Sequence, residues 1–357
     1  MIKTKTSGNL EWLPEKRKTI GRTLPLLLIG LMIFIGYLYF FVDIPEMITI
    51  IQRIDLAYYL LAIAVLLLNM LTYAVTWQYL LRPLSVNVSF EKTFLFAWVG
   101  TFVEFFVPSE SIGEDASRTY LMTKESGENT GKVLASVLGH RILSLTITLG
   151  GLIVCSISLF ILQYELHPLV SSLILLIAVG TVIPLIFIFL LFLKKDFMQK
   201  LVDLLLRFSV FVSRGRLKLI TLRSKAERAL SAFNQSIKFL SRNPRSLVQP
   251  VFFSIVTYLL TILLSYFVFV SLGHPVSFVL LAIVFSITRS LQSIPTMLPG
   301  EVGFMEPVMA SLYIALLGPQ AAAVSAAATV LIRVLWVWLR LPLGFIAVQW
   351  VVSRGLV

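Results

Sequence analysis

Five arginines, Arg118, Arg141, Arg289, Arg333 and Arg340, stand inside apolar stretches or at the mouth of a cavity between them. An ionisable group at membrane depth costs several kcal/mol by insertion scales, so each is a functional candidate. A guanidinium can grip a phosphate through paired N–H donors. Arg141 lies nine residues past Lys132, so roughly 13 Å deep, and Arg333 lies thirteen past Gln320, so roughly 20 Å deep. Both then sit near the midplane of long helices. Two readings are open for this pair. They are buried partners for Glu104 or Glu306 that hold the protein together, or they meet a lipid phosphate as it crosses.

Two polar knots point to the same chemistry. One runs from Pro108 through Glu110, Gly113 and Glu114 to Asp115; the other runs from Pro299 through Gly300 and Glu301 to Gly303. A helix N-terminus offers unpaired backbone N–H groups and a positive dipole end. Helices starting near Gly113 and Gly303 would present such ends, with glycine allowing close approach to an anion. Glu110, Glu114 and Asp115 also suit the first turn of a helix, and Arg118 pairs with Glu114 at the i,i+4 spacing. So acidic a cluster could instead hold an amine, sugar hydroxyls or a coupling proton. Glu306, three residues into the second helix, is the counterpart in the other knot.

The elements that carry these residues are membrane helices. Apolar residues are 58% of the 357 and charged residues only 13%, against about 45–50% and about 25% in soluble domains. A soluble enzyme, a nucleic-acid-binding domain and a disulfide scaffold are excluded. Charge-free runs cover Thr23–Val42, Leu56–Leu81, Ile142–Tyr164, Leu166–Leu193, Ser246–Thr288 and Pro307–Ile332. About 20 helical residues cross the hydrocarbon core, so the run from Ser246 divides at Gly273, His274 and Pro275. No small-residue cleavage site follows the basic arm, and the first span reads as a retained anchor. The stretches flanking each knot are too short to span, and irregular backbone at membrane depth must be buried in protein or line a watery cavity. Each knot is therefore expected at the tip of a re-entrant helical hairpin.

Direction follows from Lys and Arg. Of the 30 basic residues, 24 fall on one side, including six in the N-terminal arm and thirteen in Lys194–Arg245; the opposite side holds only Arg53. Six full spans then place both termini in the cytoplasm. The expected architecture is all-α: six spans plus two hairpins. Its parts are a basic arm (1–23), a first membrane half (24–193, tip 108–115), a basic amphipathic segment (194–246) and a second half (247–357, tip 299–303). Landmarks repeat at a nearly constant offset: Leu56 to Leu247 and Pro108 to Pro299 are 191 residues apart, Gly113 to Gly303 is 190, and Arg141 to Arg333 is 192. Counting crossings makes the repeat inverted, as in transporters that alternate access around a site between the halves.

The basic segment carries Leu222, Ala226, Leu230, Phe233, Ile237 and Leu240 at spacings of three and four. It is expected to lie on the anionic inner leaflet or under the bundle. Asn69 and Gln78 are expected to hydrogen-bond between helices. His140, His167 and His274 have no cysteine or carboxylate at ligand spacing, so no metal is expected. Neither a nucleotide-binding loop nor a nucleophile elbow occurs; no cofactor, ATP-driven step or nucleic-acid partner is expected.

The chain resembles the transmembrane-region (flippase-like) family of lysylphosphatidylglycerol synthases. The resemblance rests on Pro108, Gly113, Asp115 and Arg118 with Arg141 beyond, and on Pro299, Gly300, Gly303 and Glu306 with Arg333 beyond. It covers about residues 24–350. Two departures stand out: Glu114 and Glu301 replace the second glycine of each tip, and His140 replaces an acid before the first long-helix arginine. The extra carboxylates bear on the head group rather than the fold. Membership implies lipid translocation, with the aminoacyl-transferring domain of the synthases not on this chain, so no synthase activity is expected.

The leading expectation is translocation of a phospholipid or polyprenyl-phosphate-linked head group between two inverted halves in the cell membrane. Arg141, Arg333 and Arg118, with Gly113, Gly300 and Gly303, would bind the substrate. Glu104, Glu110, Glu114, Asp115, Glu301 and Glu306 would meet the head group or a proton. The alternatives are a non-catalytic subunit serving a glycosyltransferase or aminoacyltransferase partner, and a lipid-modifying membrane enzyme.

Overall fold

A computed structural model of the chain describes residues 43–106, 112–161, 219–292 and 298–354, with isolated helical positions between 28 and 40 and between 168 and 176. Every regular element among the described residues is helical. In chain order these are α1 (Ile44–Gln52), α2 (Leu56–Leu81), α3 (Phe90–Phe106), α4 (Ile112–Ser126), α5 (Thr130–Ile161), α6 (Leu219–Arg242) and α7 (Val248–Ser271). They continue with α8 (Phe278–Leu291), α9 (Met305–Leu317), α10 (Ala322–Arg333) and α11 (Arg340–Ser353). A π-helical turn, Val334–Leu339, joins α10 to α11.

Local chemistry sets the ends of these helices. The Asp55 carboxylate caps α2 by accepting the Ala57 N–H at 2.9 Å, satisfying one of the donors a helix start leaves open. Helix α7 closes where Gly273 turns left-handed at φ 76°. There His274 N–H reaches Phe269 O (3.0 Å) and Gly273 N–H reaches Val270 O (2.9 Å), the paired bonds of a Schellman stop. Pro275 follows, and α8 begins at Phe278. The expected break in the long apolar run lies at this stop.

Five helical stretches among the described residues are long and apolar enough to cross a membrane: Leu56–Leu84, Thr130–Ile161, Pro244–Ser271, Pro299–Leu317 and Pro319–Ser353. Four coincide with expected spans. The fifth contains α9, which is the second arm of the expected second hairpin. The arm 1–23 and residues 194–218 lie outside the described residues, as do the expected spans at 23–42 and 166–193 apart from those isolated positions.

The middle of the fold is a seam between α2 and α7, which run antiparallel. The Asp55 N–H at the start of α2 donates to Ser271 O at the end of α7, 2.7 Å away. Midway, Asn69 Nδ2 donates to Thr257 O (2.8 Å) and Thr261 Oγ1 (2.9 Å), and the Thr257 and Thr72 hydroxyl oxygens lie 2.9 Å apart. Nearer the far end, the Tyr79 and Phe253 rings stack at 5.5 Å. Gln78 instead ties α2 to the entry of α3: its Nε2 donates to Val88 O at 2.8 Å and its Oε1 accepts from Thr93 Oγ1.

Two helical pairs flank this seam, α3 with α4 and α8 with α9, and each leans on the long helix from the other part of the chain: α3 on α11, and α8 on α5. Gly344 permits the first of these contacts, since a Cβ there would stand 2.8 Å from Phe102 Cβ and 3.1 Å from the Trp98 carbonyl oxygen. The basic helix α6 packs on α5. Phe233 and Leu240 are buried, and a Cβ on Gly131 would fall 1.8 Å from the Ala229 carbonyl oxygen. This helix therefore lies against the bundle.

Candidate functional site

A cavity of about 240 Å³ opens at mid-length of the seam. Asn69 and Tyr73 of α2 and Thr257, Tyr258 and Thr261 of α7 form its floor. Glu104 of α3, Glu114 of α4 and His140 of α5 close it from one side; Arg289 of α8, Glu301, Arg333 and Arg340 close it from the other. Three arginines and three glutamates thus share one wall system with a band of hydroxyls. Many of these hydroxyls donate back to their own helix, as Thr257 does to Phe253 O (2.8 Å), Thr261 to Thr257 O (3.0 Å) and Thr288 to Val284 O (2.7 Å). That satisfies the donor within the helix and leaves oxygen lone pairs for the cavity.

The expected site residues fall into three groups. The first is a closed cluster around Arg118, a side chain only 1% exposed. Its Nη1 donates to Tyr73 Oη at 2.7 Å and meets Glu114 Oε1 at 3.3 Å. Tyr73 Oη in turn donates to Glu114 Oε1 at 2.6 Å. The guanidinium lies 4.1 Å from the Trp77 ring and 5.1 Å from that of Tyr73. Its Nη2 stands 3.0 Å from His140 Nδ1; because arginine can only donate, Nδ1 is the acceptor and the neutral imidazole carries its proton on Nε2. The expected Glu114–Arg118 pair is present, and its arginine is enclosed by rings and acceptors.

The second group is a pair of latches. Arg141 Nη1 bonds Asp115 Oδ2 at 3.1 Å, tying α5 to the start of α4, with side chains 32% and 14% exposed. Arg333 Nε bonds Glu306 Oε1 at 2.6 Å, tying the end of α10 to the start of α9, with side chains 8% and 6% exposed. Arg333 Nη2 also donates to Gly300 O at 2.5 Å. The second carboxylate oxygen of Glu306 accepts the Gly303 N–H at 2.6 Å. That backbone donor is consequently satisfied by the protein itself. Gly113 is buried in the first turn of α4, and Glu110 lies outside the described residues.

The third group is the tip at Pro299–Glu301. Gly300 (φ 57°) and Glu301 (φ 56°) are both left-handed. For a non-glycine residue this stores about 1–3 kcal/mol of strain, a feature that clusters at functional sites. The strain is held by Gln292, whose Nε2 donates to Glu301 Oε2 at 2.6 Å. A Cβ on Gly300 would stand 2.7 Å from the Phe105 ring, so this tip rests on the end of α3. Arg289 and Arg340 face the same cavity. Sequence reasoning placed them at membrane depth without a role, since no landmark or spacing set them apart. Among the described residues no group of His, Cys, Asp and Glu has the arrangement of a metal site.

Comparison with known proteins follows the same outline. The chain is 28% identical to a UPF0104 membrane protein of Pyrococcus horikoshii over 90% of its length and 95% of the relative's. It is 25% identical to a UPF0104 membrane protein of Methanothermobacter thermautotrophicus (84% and 87% covered) and to one of Methanocaldococcus jannaschii (90% and 93%). The family model of the lysylphosphatidylglycerol synthase TM region matches residues 27–344. With that match spanning most of its length and its long apolar helices packed as described, the chain is a multi-pass integral membrane protein and belongs to the lysylphosphatidylglycerol synthase TM region family.

Proposed function

We propose that this protein translocates a lipid across the cell membrane, the head group passing through the central cavity while the tails stay in the bilayer. The observation that carries this reading is a polar cavity at mid-length of apolar helices, walled from both sides of one seam. Hydrocarbon tolerates such a concentration of polar groups only around a protein-lined path. Its volume of about 240 Å³ is below the ~300–1,000 Å³ of drug-sized ligand pockets. It suits one head group, phospholipid or polyprenyl-phosphate-linked, rather than an extended glycan.

An inverted-topology repeat, with cytoplasmic termini, is part of the same reading. The latch acids Asp115 and Glu306 are 191 residues apart and their arginines Arg141 and Arg333 are 192 apart. The antiparallel α2–α7 seam and the exchanged contacts of α3 with α11 and α8 with α5 support it. In this scheme the latches fix each hairpin to its own long helix, so that a half moves as a unit around the cavity. The packing of α6 against α5 buries Phe233 and Leu240 without a partner protein.

The test is reconstitution into liposomes carrying fluorescent lipids, one head-group class at a time, with dithionite reporting exposure. Folded protein should expose inner-leaflet lipid. Ser254→Phe, which replaces a buried, unpartnered hydroxyl in the cavity wall with a ring, should slow that exposure. No protein-dependent exposure of any phospholipid or polyprenyl-phosphate sugar would refute the reading.

A further inference from the structure

We infer that Arg289 and Arg340 form the phosphate-binding element of the cavity, and that it takes a singly charged phosphodiester. This inference rests on the translocation reading for its lipid. The five deep arginines divide sharply by partner. Arg118, Arg141 and Arg333 each hold a carboxylate. Arg289 and Arg340 line the cavity, and neither forms an ion pair with a carboxylate among the described residues. Arg289 Nη1 has only the Gln292 amide oxygen, at a long 3.3 Å. Arg340 Nη2 meets the Met70 sulfur at 3.3 Å, and its guanidinium lies 5.1 Å from the Trp336 ring. Its Nε is buried with no acceptor at all.

A guanidinium has five N–H donors and no acceptor, so both side chains carry donors with nothing of matching charge to receive them. A thioether is a weak acceptor, and a ring face attracts the charge without taking a hydrogen. Glu104 and Glu301 share the cavity wall with both arginines, offsetting charge without an ion pair to either. Two half-buried cations facing one space, both short of acceptors, describe an oxyanion site.

The ligand's class follows from geometry and from net charge. A planar carboxylate is matched by one fork, whereas the tetrahedral oxygens of a phosphate can be divided between two guanidiniums. Glu114 and Glu306 are taken up by Arg118 and Arg333, which leaves Glu104 and Glu301 to offset Arg289 and Arg340 in the cavity. A dianion would meet those carboxylates with no surplus field to draw it in. A phosphodiester brings one negative charge and two terminal oxygens, and is held by directed bonds instead.

The test measures binding where there are no leaflets. Purified full-length protein in maltoside micelles would be titrated with dioleoyl phosphatidylglycerol, dioleoyl phosphatidic acid, dioleoylglycerol and inorganic phosphate, read by native mass spectrometry and thermal shift. Hydrogen bonds to charged groups predict that Arg289→Gln and Arg340→Gln each weaken phosphatidylglycerol binding about 10- to 100-fold. Arg289→Lys and Arg340→Lys, which keep the charge and lose the fork, should fall between; they also keep the test usable where a Gln variant fails to fold. Arg82→Gln, outside the cavity, should bind as the parent does. Folded Gln variants with parental affinity would overturn the inference, and so would a loss confined to Arg141→Gln and Arg333→Gln. Dioleoylglycerol binding as well as phosphatidylglycerol would remove the phosphate. Phosphatidic acid binding more tightly would remove the diester preference, and inorganic phosphate binding equally well would remove the lipid. Arginine-dependent phosphatidylglycerol binding by a protein that exposes no lipid in liposomes would leave the site standing and withdraw the transport reading instead.

Discussion

Glu306→Gln tests whether the second latch holds its hairpin. Both partners are buried, with side chains 6% and 8% exposed. Glutamine keeps the volume of glutamate but removes the charge opposite Arg333. It also turns an amide N–H₂ toward either the Arg333 Nε donor or the Gly303 N–H, each now bound to a carboxylate oxygen at 2.6 Å. Removing one partner of a buried pair strands the other charge, at about 3–5 kcal/mol. Arg333→Gln should cost a similar amount. Glu306→Gln with Arg333→Gln leaves no charge stranded, so the double variant should lose no more than either single one, giving a coupling of about 3–5 kcal/mol. The Asp115–Arg141 pair is more exposed, at 14% and 32%; Asp115→Asn should cost only about 1 kcal/mol. Reversible unfolding in mixed SDS and maltoside micelles, followed by circular dichroism, measures all four. Single losses that add to within about 0.5 kcal/mol in the double variant would show that the latch is not a coupled pair.

Two further predictions concern close approaches. Gly300→Ala places a Cβ 2.7 Å from the Phe105 ring at a φ of 57°; the left-handed backbone alone should cost about 1–2 kcal/mol, and adding Phe105→Ala should recover the excess over that figure in the same unfolding assay. Equal losses with and without Phe105→Ala would mean that the ring does not confine the tip. Gly131→Leu drives a side chain into the Ala229 carbonyl, 1.8 Å from the Cβ position, and α6 should lift from α5. Amide hydrogen exchange around Phe233 should then accelerate at least about tenfold, and unchanged exchange would refute the contact.

Much of this arrangement was legible because membrane helices announce themselves locally. Charge-free length gave α2 and α7, and a glycine two positions before a proline gave the stop at Gly273. The Glu114–Arg118 pair was readable from i,i+4 spacing, since helix geometry alone brings those positions together. Glu306 was readable as one candidate partner for Arg333. What escaped was chosen by tertiary contact. Nothing in the spacing of Arg118 foretells Trp77 and Tyr73, which lie 41 and 45 positions upstream and meet it through the packing of α2 on its neighbours. Nor does the sequence separate Arg289 and Arg340 from the other deep arginines. The distinction is the lack of a carboxylate within bonding distance, a property of the assembled helices and of no single one.

The latches also bear on how such a chain can change over time. Each acid and its arginine lie on the same side of the seam, 26 or 27 positions apart. A substitution in one latch can therefore be compensated by a second change a short distance away in the gene, with the other latch untouched. The α2–α7 seam has no such freedom: Asn69 answers to Thr257 and Thr261, nearly two hundred positions on. Drift should thus proceed separately in the two latches and be slowest along the seam, where a change in one part of the gene must wait for its answer in the other.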